Sequence, residues 1–260
     1  MDYVFLLFGS SLLFAIISGL FGIGGGLVMT PILFKGFQLI GVEHSICMNL
    51  AIGTSLGVIA PTSIMAFIEH KRRGTVDIKI LKSWMIVLPA SSILTSFMVS
   101  NIDHTYLQRA FAVFCVLIGF LMLVKDRWVL KHDFPDGFLK YILGMIIGIV
   151  SGILGVGGGI LSTILMLLYG RSINQASAIA TGVSVLISIP GLIVRIYTGL
   201  GVAGNHPMSI GFVNIGAIMI ILPISIIICP ISAKFSYMIR KKYLEIGFSL
   251  IMFVTALLLI

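Results

Sequence analysis

The chain has 260 residues, of which 58% are apolar and only 10% are charged, and its formal net charge is +8. Soluble domains carry about 25% charged residues, and one core of this length could not remove so much apolar surface from water. The composition therefore excludes a cytosolic enzyme, a nucleic-acid-binding protein and a disulfide-rich secreted domain. It predicts an all-α polytopic membrane protein.

Apolar runs long enough to cross a bilayer, about 17 to 25 residues each, occur eight times along the chain. In chain order they are residues 3–21, 46–68, 78–99, 107–124, 138–154, 175–197, 209–230 and 243–260. Two shorter runs, 27–37 and 160–169, each follow a glycine cluster. At 1.5 Å per residue these reach only about 15 to 16 Å, half of the hydrocarbon core.

The glycine clusters belong to an internal repeat. Residues 18–33 read SGLFGIGGGLVMTPIL and residues 151–166 read SGILGVGGGILSTILM. Weaker matches follow: Ala51-Ile52-Gly53-Thr54 corresponds to Ala178-Ile179-Ala180-Thr181, Gly74 to Gly201, and Leu88-Pro89 to Leu222-Pro223. Such self-similarity predicts two transmembrane repeats, 1–124 and 138–260, joined by a polar cytoplasmic linker at 125–137.

The distribution of Lys and Arg distinguishes two topologies, because basic residues are concentrated in cytoplasmic loops. If each short run merely continues the preceding helix, the 17 basic residues divide ten against seven. If each glycine cluster is the apex of a hairpin, 14 of the 17 fall on one side. The second topology gives two inverted repeats of five membrane elements each, with a Gly-rich broken helix hairpin at the start of each repeat and both termini outside.

Inverted repeats with broken helices are typical of secondary transporters, whose substrates bind near the midplane where the breaks meet. Each glycine cluster opens a short helix whose first N–H groups have no intrahelical partner. Inside a membrane these donors need a partner, and an anion is favoured there by the helix dipole. We therefore predict that a small anion binds the backbone of two clusters, Gly24, Gly25 and Gly26 in the first repeat and Gly157, Gly158 and Gly159 in the second. Close helix packing is the alternative use of such glycines.

Neutral hydroxyl groups could complete this site. Thr30 and Thr163 lie one turn into the short helices, and four more candidates lie in the next helix of each repeat: Thr54, Ser55, Thr181 and Ser184. Hydroxyl groups in membrane helices also bond back to their own turn, which is the alternative role for each of them.

Charged residues within the spans are few. No Asp or Glu lies centrally in any span, so a proton relay of buried carboxylates is not expected. Arg195 has apolar neighbours on both sides, and either extends to the outer surface or attracts an anion at the mouth of the pathway. We predict no catalytic residue, no metal site and no cofactor.

The two glycine motifs resemble those of the TauE/SafE sulfite exporter family of bacterial and archaeal membrane proteins, and the similarity extends over nearly the whole chain. The repeated SG-[LI]-[FL]-G-[IV]-GGG segments carry the resemblance, supported by the A-I-x-T segments and the Leu-Pro pairs. The resemblance implies transport of small sulfur-containing anions such as sulfite or organosulfonates across the cytoplasmic membrane. Ala180 in place of Gly53, and Ile164 in place of Pro31, imply an asymmetric site.

The sequence therefore predicts a permease for a small anion that works by alternating access. The expected partners are the anion and membrane lipids but no nucleic acid, and the sequence leaves open whether the chain forms a homo-oligomer. The alternatives are a permease for a small carboxylate anion and a membrane assembly protein that transports nothing. An intramembrane enzyme is disfavoured because no GxSG or HExxH motif is present.

Overall fold

The computed structural model describes residues 8–9, 11–12, 15–16, 26–99, 102, 104–124, 134–135, 137–201, 208–236 and 241–259. This part of the chain forms ten helices and one two-stranded hairpin. The first repeat contains α1 (Gly26–Leu39), α2 (His44–Arg72), α3 (Ile78–Trp84), α4 (Val87–Val99) and α5 (His104–Val124). The second contains α6 (Phe138–Leu154), α7 (Gly159–Leu168), α8 (Ile173–Gly199), β1 (Ser209–Ile210), β2 (Val213–Asn214), α9 (Ile215–Ser236) and α10 (Lys241–Leu259).

Four helices of the described chain are long and apolar enough to cross a membrane, and a fifth candidate is the bent pair α3 and α4. The four are α2, most of α5, α8 and the first 18 residues of α9. Apolar helices α1, α6 and α7 are shorter, with 14, 17 and 10 residues. The predicted all-α polytopic fold is therefore confirmed, and α1 and α7 coincide with the two short runs. The predicted span at 3–21 falls largely outside the described residues.

The predicted span at 209–230 is wrong at its beginning. Residues 209–214 form the β1–β2 hairpin, with Ser209 paired to Asn214, and the helix starts only at Ile215. The segment is apolar enough to extend a helix, but Gly211 turns the chain with a φ of +56°. Non-helical backbone is tolerated at membrane depth only where protein covers it, and Phe212 and Val213 are indeed buried.

The predicted span at 78–99 is broken rather than straight. Helices α3 and α4 meet at residues 85–86 with a bend of 43°. Pro89 explains the position of the break, because proline lacks an N–H and its ring clashes with the carbonyl four residues earlier, which is that of Met85. Asp77 caps the start of α3 by accepting hydrogen bonds from the N–H groups of Lys79 and Ile80.

Helices α6 and α7 form a hairpin that turns inside the bundle. At the start of α6, the Trp84 indole Nε1 donates a hydrogen bond of 2.7 Å to the carbonyl of Lys140. The Phe134 ring, just before α6, contacts both Trp84 and Tyr169, with centroid distances of 5.7 and 5.3 Å. Tyr169 follows the last residue of α7, so α7 returns to the end of the bundle where α6 began. This is the re-entrant course that the sequence predicts for the second repeat.

Helices that correspond in the two repeats also pack in corresponding pairs. The central pair is α2 against α8, and a second pair is α5 against α10. Helix α1 packs on α2 as α7 packs on α8, and α9 packs on α2 as α4 packs on α8. This pairing is what two structurally equivalent repeats produce, and the inverted orientation of the repeats stays a prediction.

Basic residues that include Lys140 and Arg171 lie at one end of the bundle, which we call the basic end. Arg171, between α7 and α8, forms an ion pair of 3.7 Å with Asp77, so the loops before α3 and before α8 lie together. Lys140 lies beside Trp84 at the same end. At the far end the Gln108 side chain donates to the carbonyl of Leu259, which places the last turn of α10 away from the basic end.

Candidate functional site

The start of α1 meets the second glycine-rich segment in the interior of the bundle. Gly26 is the first residue of α1, residues 155–158 connect α6 to α7, and Gly159 begins α7. A Cβ atom placed on Gly26 would lie 2.8 Å from the carbonyl oxygen of Val156 and 2.7 Å from Cδ1 of Ile59. We call Gly26 together with residues 155–159 the glycine junction. Gly24 and Gly25 lie outside the described residues.

The turn between α6 and α7 depends on glycine backbone conformations. Gly157 and Gly158 have φ angles of +73° and +74°, which side-chain-bearing L-residues rarely adopt. Gly155 ends α6 in the left-handed conformation, and its N–H donates a 2.8 Å hydrogen bond to the Ser151 carbonyl. The turn is fully enclosed, since residues 154–160 are all buried.

The start of α7 presents backbone donors into this enclosed space. The N–H of Ser162 bonds to the carbonyl of Gly158 at 3.1 Å. The N–H groups of Gly159, Ile160 and Leu161 precede it and belong to the first turn, whose donors have no acceptor four residues earlier within the helix. These residues are buried or half-buried, so the N-terminus of α7 lies inside the bundle.

Serine hydroxyl groups surround the glycine junction. Ser151 Oγ lies 3.1 Å from the position of a Cβ on Gly158, and the hydroxyls of Ser151 and Ser55 are buried without a partner in the described structure. Ser55 shares a face of α2 with Ile52 and Ile59, whose side chains contact Gly155 and Gly157 respectively.

Helix α8 closes the junction on its other side. Cβ of Ser184 lies 3.8 Å from the position of a Cβ atom on Gly157. Cδ1 of Ile187 lies 2.5 Å from the position of a Cβ atom on Gly158. Ser188, four residues beyond Ser184, is a further buried hydroxyl for which no described group is a hydrogen-bond partner. Of the predicted hydroxyl ligands, Ser55 and Ser184 therefore lie beside the junction.

The threonines of the short helices bond within their own turns. Thr30 Oγ1 donates to the carbonyl of Gly26 at 3.1 Å, and Thr163 Oγ1 donates to that of Gly159 at 2.9 Å. Both hydroxyls thereby use acceptors of the glycine junction itself. This is the alternative role given for them from the sequence, and a direct contact with an anion stays a prediction.

Thr54 and Thr181 occupy equivalent repeat positions but different surroundings. Thr54 Oγ1 accepts a 2.9 Å hydrogen bond from the N–H of Asn214, at the end of the β1–β2 hairpin. Thr181 Oγ1 donates to the carbonyl of Ala178 at 2.8 Å and is half-buried. Among the described residues the hairpin has no counterpart in the first repeat, and it packs against α2 of that repeat, so the two threonines have different partners.

Arg195 does not extend to the surface, and that alternative is wrong. Its side chain is fully buried, with 0% exposure, and Nη1 donates a 2.6 Å hydrogen bond to Oδ1 of Asn49 on α2. Asn49 is not among the site residues predicted from the sequence. An amide within the apolar run MNLAIG is the signal that could have found it.

Ser151 and Ser188 were missed as well. Ser151 begins the second copy of the repeated glycine motif, so the repeat itself pointed to it. Ser188 lies in the run SVLISIP of α8 and carries no such signal.

A separate apolar cavity of about 570 Å³ lies between residues 9–16, α1 and α10. Its lining is formed by Gly9, Leu12, Ile16, Val28, Leu250, Ile251 and Val254. None of these side chains can donate a hydrogen bond, so this cavity does not provide an anion site.

Comparison with known families agrees with this architecture. The profile described as "Sulfite exporter TauE/SafE" matches residues 7–259. The chain belongs to the TauE/SafE family. It is accordingly a multi-pass membrane protein of a transporter family.

Relatives within the TauE/SafE family carry the name "probable membrane transporter protein". One from Methanocaldococcus jannaschii is 31% identical over 248 residues, which cover 94% of this chain and 91% of the relative. One from Haemophilus influenzae is 28% identical over 246 residues, with coverages of 93% and 92%. A third, from Bacillus subtilis, is 26% identical over 264 residues, with coverages of 95% and 96%. No solved structure matches this TauE/SafE chain.

Proposed function

We propose that this TauE/SafE protein is a permease of the cytoplasmic membrane for a small anion, sulfite or a related organosulfonate. The observation that carries the proposal is the meeting of Gly26 with Val156 inside the bundle. Two helix N-termini directed to one dehydrated region provide several backbone donors and two positive dipole ends. The hydroxyl groups of Ser55 and Ser151 add donors for the oxygen atoms of the anion.

The transport cycle follows from the closed state of the glycine junction. All residues from 154 to 160 are buried, so the anion is enclosed in this conformation and reaches either side only after helices move apart. We propose that rocking of one repeat against the other, along the α2–α8 contact, opens the junction alternately to each side.

Charge indicates the direction of transport. A monoanion that leaves a cell with a negative interior gains about 2.3 kcal/mol for each 100 mV of membrane potential. Export therefore requires no coupled ion. The carboxylates whose side chains the structure describes, Glu43, Glu69 and Asp77, lie near helix ends, away from the glycine junction, which supports uncoupled export.

The experiment is an anion-flux assay with the purified full chain in liposomes at an imposed potential. Wild-type protein is expected to carry sulfite and methanesulfonate faster than protein-free liposomes. Gly26→Ala is expected to reduce this flux by a factor on the order of ten. The added methyl group pushes the Val156 carbonyl away, overpacking costs about 1–3 kcal/mol, and 1.4 kcal/mol corresponds to a factor of ten.

Gly119→Ala is the matched control. It also adds one methyl group to a helix glycine, but the nearest atoms are side-chain atoms of Met252 and Phe253 at 3.3 Å or more. Wild-type protein that carries none of these anions would contradict the proposed function and support the assembly role. Equal flux in wild type and Gly26→Ala would contradict the glycine junction as the binding site.

A further inference from the structure

Arg195 is a buried cation that is only partly bonded. Asn49 accepts a hydrogen bond from Nη1, while Nε and Nη2 are buried and no described residue partners them. Each buried, unpaired polar group costs about 1–3 kcal/mol, and more where the group is charged. Two donors of the guanidinium therefore either bind a molecule that is not part of the described protein or have no partner.

No acidic side chain that the structure describes compensates the charge of this guanidinium. The three that it describes are engaged elsewhere: Glu43 accepts from Ser45, Glu69 pairs with Arg73, and Asp77 caps α3 and pairs with Arg171. Burying a cation without a counter-charge costs several kcal/mol, and arginine cannot escape this cost by losing its proton. A buried arginine in this state favours an anionic ligand.

The geometry of the free donors specifies the shape of that anion. Nε–H and Nη2–H lie on one edge of the planar guanidinium and point in parallel, so they bind two oxygen atoms of one group. Asn49 contacts Nη1, which is not part of this edge, so the bond to Asn49 uses neither of its two donors. The edge fits anions with two oxygen atoms on one centre, such as sulfite, sulfonates and carboxylates, better than a spherical halide.

We infer that Arg195 binds the transported anion through its Nε and Nη2 edge, as a second station on the pathway. This inference rests on the proposed function and adds a residue to it. Arg195 lies eight residues, or about 12 Å along α8, from Ile187, which contacts the glycine junction. It lies on the side away from the basic end, one turn before α8 ends at Gly199.

The β1–β2 hairpin covers this station. The N–H of Phe212 donates a 3.1 Å hydrogen bond to the carbonyl of Arg195, and Phe212 is 2% exposed. An anion at Arg195 is therefore shielded from water, which strengthens its attraction to the guanidinium. The station lies farther from the basic end than the glycine junction does, since Asn49 precedes Ile52 and Ile59 on α2, and an exported anion would be held there before release.

The first test replaces Arg195 by lysine in the liposome assay and measures KM for sulfite, methanesulfonate and acetate. Lysine keeps the charge but loses the parallel donors, so KM for all three is expected to rise at least about tenfold. Arg109→Lys, at an exposed arginine, is the control and is expected to leave KM unchanged. A KM for Arg195→Lys equal to that of wild type for every anion would overturn the inference.

A second variant covers the case in which Arg195→Lys does not fold. Asn49→Asp has nearly the same shape and puts a carboxylate beside Nη1, which supplies the internal counter-charge. The melting temperature is expected to stay the same or rise, while KM for the anions rises at least about tenfold because the guanidinium is neutralised.

The two proposals fail in different ways. Normal KM values in a stable Asn49→Asp protein would show that Arg195 has a structural role only. Loss of flux in Gly26→Ala together with normal KM values in the Arg195 and Asn49 variants would reject the second station and keep the permease. Absence of flux in the wild type would reject the permease itself.

Discussion

Gly53 and Ala180 occupy equivalent positions in the two repeats, and the space around Gly53 explains why they differ. A Cβ atom on Gly53 would overlap the carbonyl oxygen of Phe212. The hairpin that contains Phe212 has no counterpart at Ala180 among the described residues. The absence of a side chain at Gly53 therefore permits the hairpin to pack directly on the backbone of α2.

We expect Gly53→Ala to destabilise the protein. The methyl group would have to displace backbone atoms of the hairpin, and overpacking of this kind costs about 1–3 kcal/mol. Gly119→Ala is expected to be neutral or stabilising, because its neighbours are side-chain atoms and alanine favours helix. Thermal unfolding in detergent measures both, and equal melting temperatures for the two variants would contradict this account of Gly53.

Sequence reasoning at the residue scale identified candidate hydroxyl groups but could not assign their partners. Ser55 was predicted and remains without a described partner, whereas Thr30 and Thr163 bond to carbonyls in their own helices. Both outcomes are open to any hydroxyl in a membrane helix. The choice depends on which neighbouring helix approaches, which a single sequence does not contain.

At the scale of elements, α6 packs on α3 and α4 through three glycines spaced four residues apart. Gly144 faces Trp84, Gly148 faces Ser91, and Gly152 faces Thr95. The spacing puts all three glycines on one face of α6 and lets the helices approach closely. This contact fixes the position of α6, the outer arm of the α6–α7 hairpin. It therefore determines how deeply the glycine turn lies in the bundle.

We expect Gly148→Ala to destabilise the protein and Ser91→Ala to rescue it in part. A Cβ on Gly148 would overlap Oγ of Ser91, and that hydroxyl bonds only to carbonyls of its own helix, Val87 and Leu88. A double-mutant cycle on the free energy of unfolding should give a favourable coupling of about 0.5–3 kcal/mol.

Gly144→Ala provides the control for this cycle. Its methyl group would contact the Trp84 ring at 2.6 Å, so Ser91→Ala is expected to give no rescue. Equal rescue of both glycine variants would show that Ser91→Ala stabilises the fold in general rather than through the α4–α6 contact.

The elements that the sequence predicted correctly are those with strong apolar periodicity or a defined break. The run at 138–154 coincides with α6, and the short run at 160–169 with α7. The hairpin at 209–214 was missed because SIGFVN is apolar in either conformation. Its strands are stabilised by Gly53 and Thr54 in the other repeat, a long-range contact that local composition cannot report.

At the scale of the whole molecule, the basic residues define an orientation. Fourteen of the 17 Lys and Arg residues lie in stretches 71–82, 125–140, 171 and 234–242. The described parts of the first three stretches lie at the basic end, and α9 runs parallel to α2 toward that end, since Gly53 contacts Val213 and Gly57 contacts Ile218. Basic residues stay on the cytoplasmic side, so the basic end is expected to face the cytoplasm.

Reporter fusions test this orientation. A fluorescent protein fused after Gly137 should fluoresce, and alkaline phosphatase at the same position should be inactive. A phosphatase fused after Ile260 should be active, because Leu259 lies beside Gln108 at the far end of the bundle. A fluorescent C-terminal fusion would contradict the topology with five membrane elements in each repeat.

The internal repeat made much of the global arrangement predictable. Equivalent segments predict equivalent packing, and α1 on α2 is matched by α7 on α8. The Arg195–Asn49 contact could not be found in this way, because the equivalent positions hold Ile68 and Ala176. Features that the repeats do not share must be read from the three-dimensional structure.

The carbonyl of Arg195 accepts a hydrogen bond from the N–H of Phe212, while two donors of the Arg195 guanidinium have no described partner. The backbone of one residue thus anchors the hairpin, while its side chain is the anion ligand that we propose. In the proposed cycle, a shift of the α8 backbone at Arg195 would move both the acceptor of the hairpin and the donors to the anion. Binding and release of the anion would then be coupled through one peptide unit.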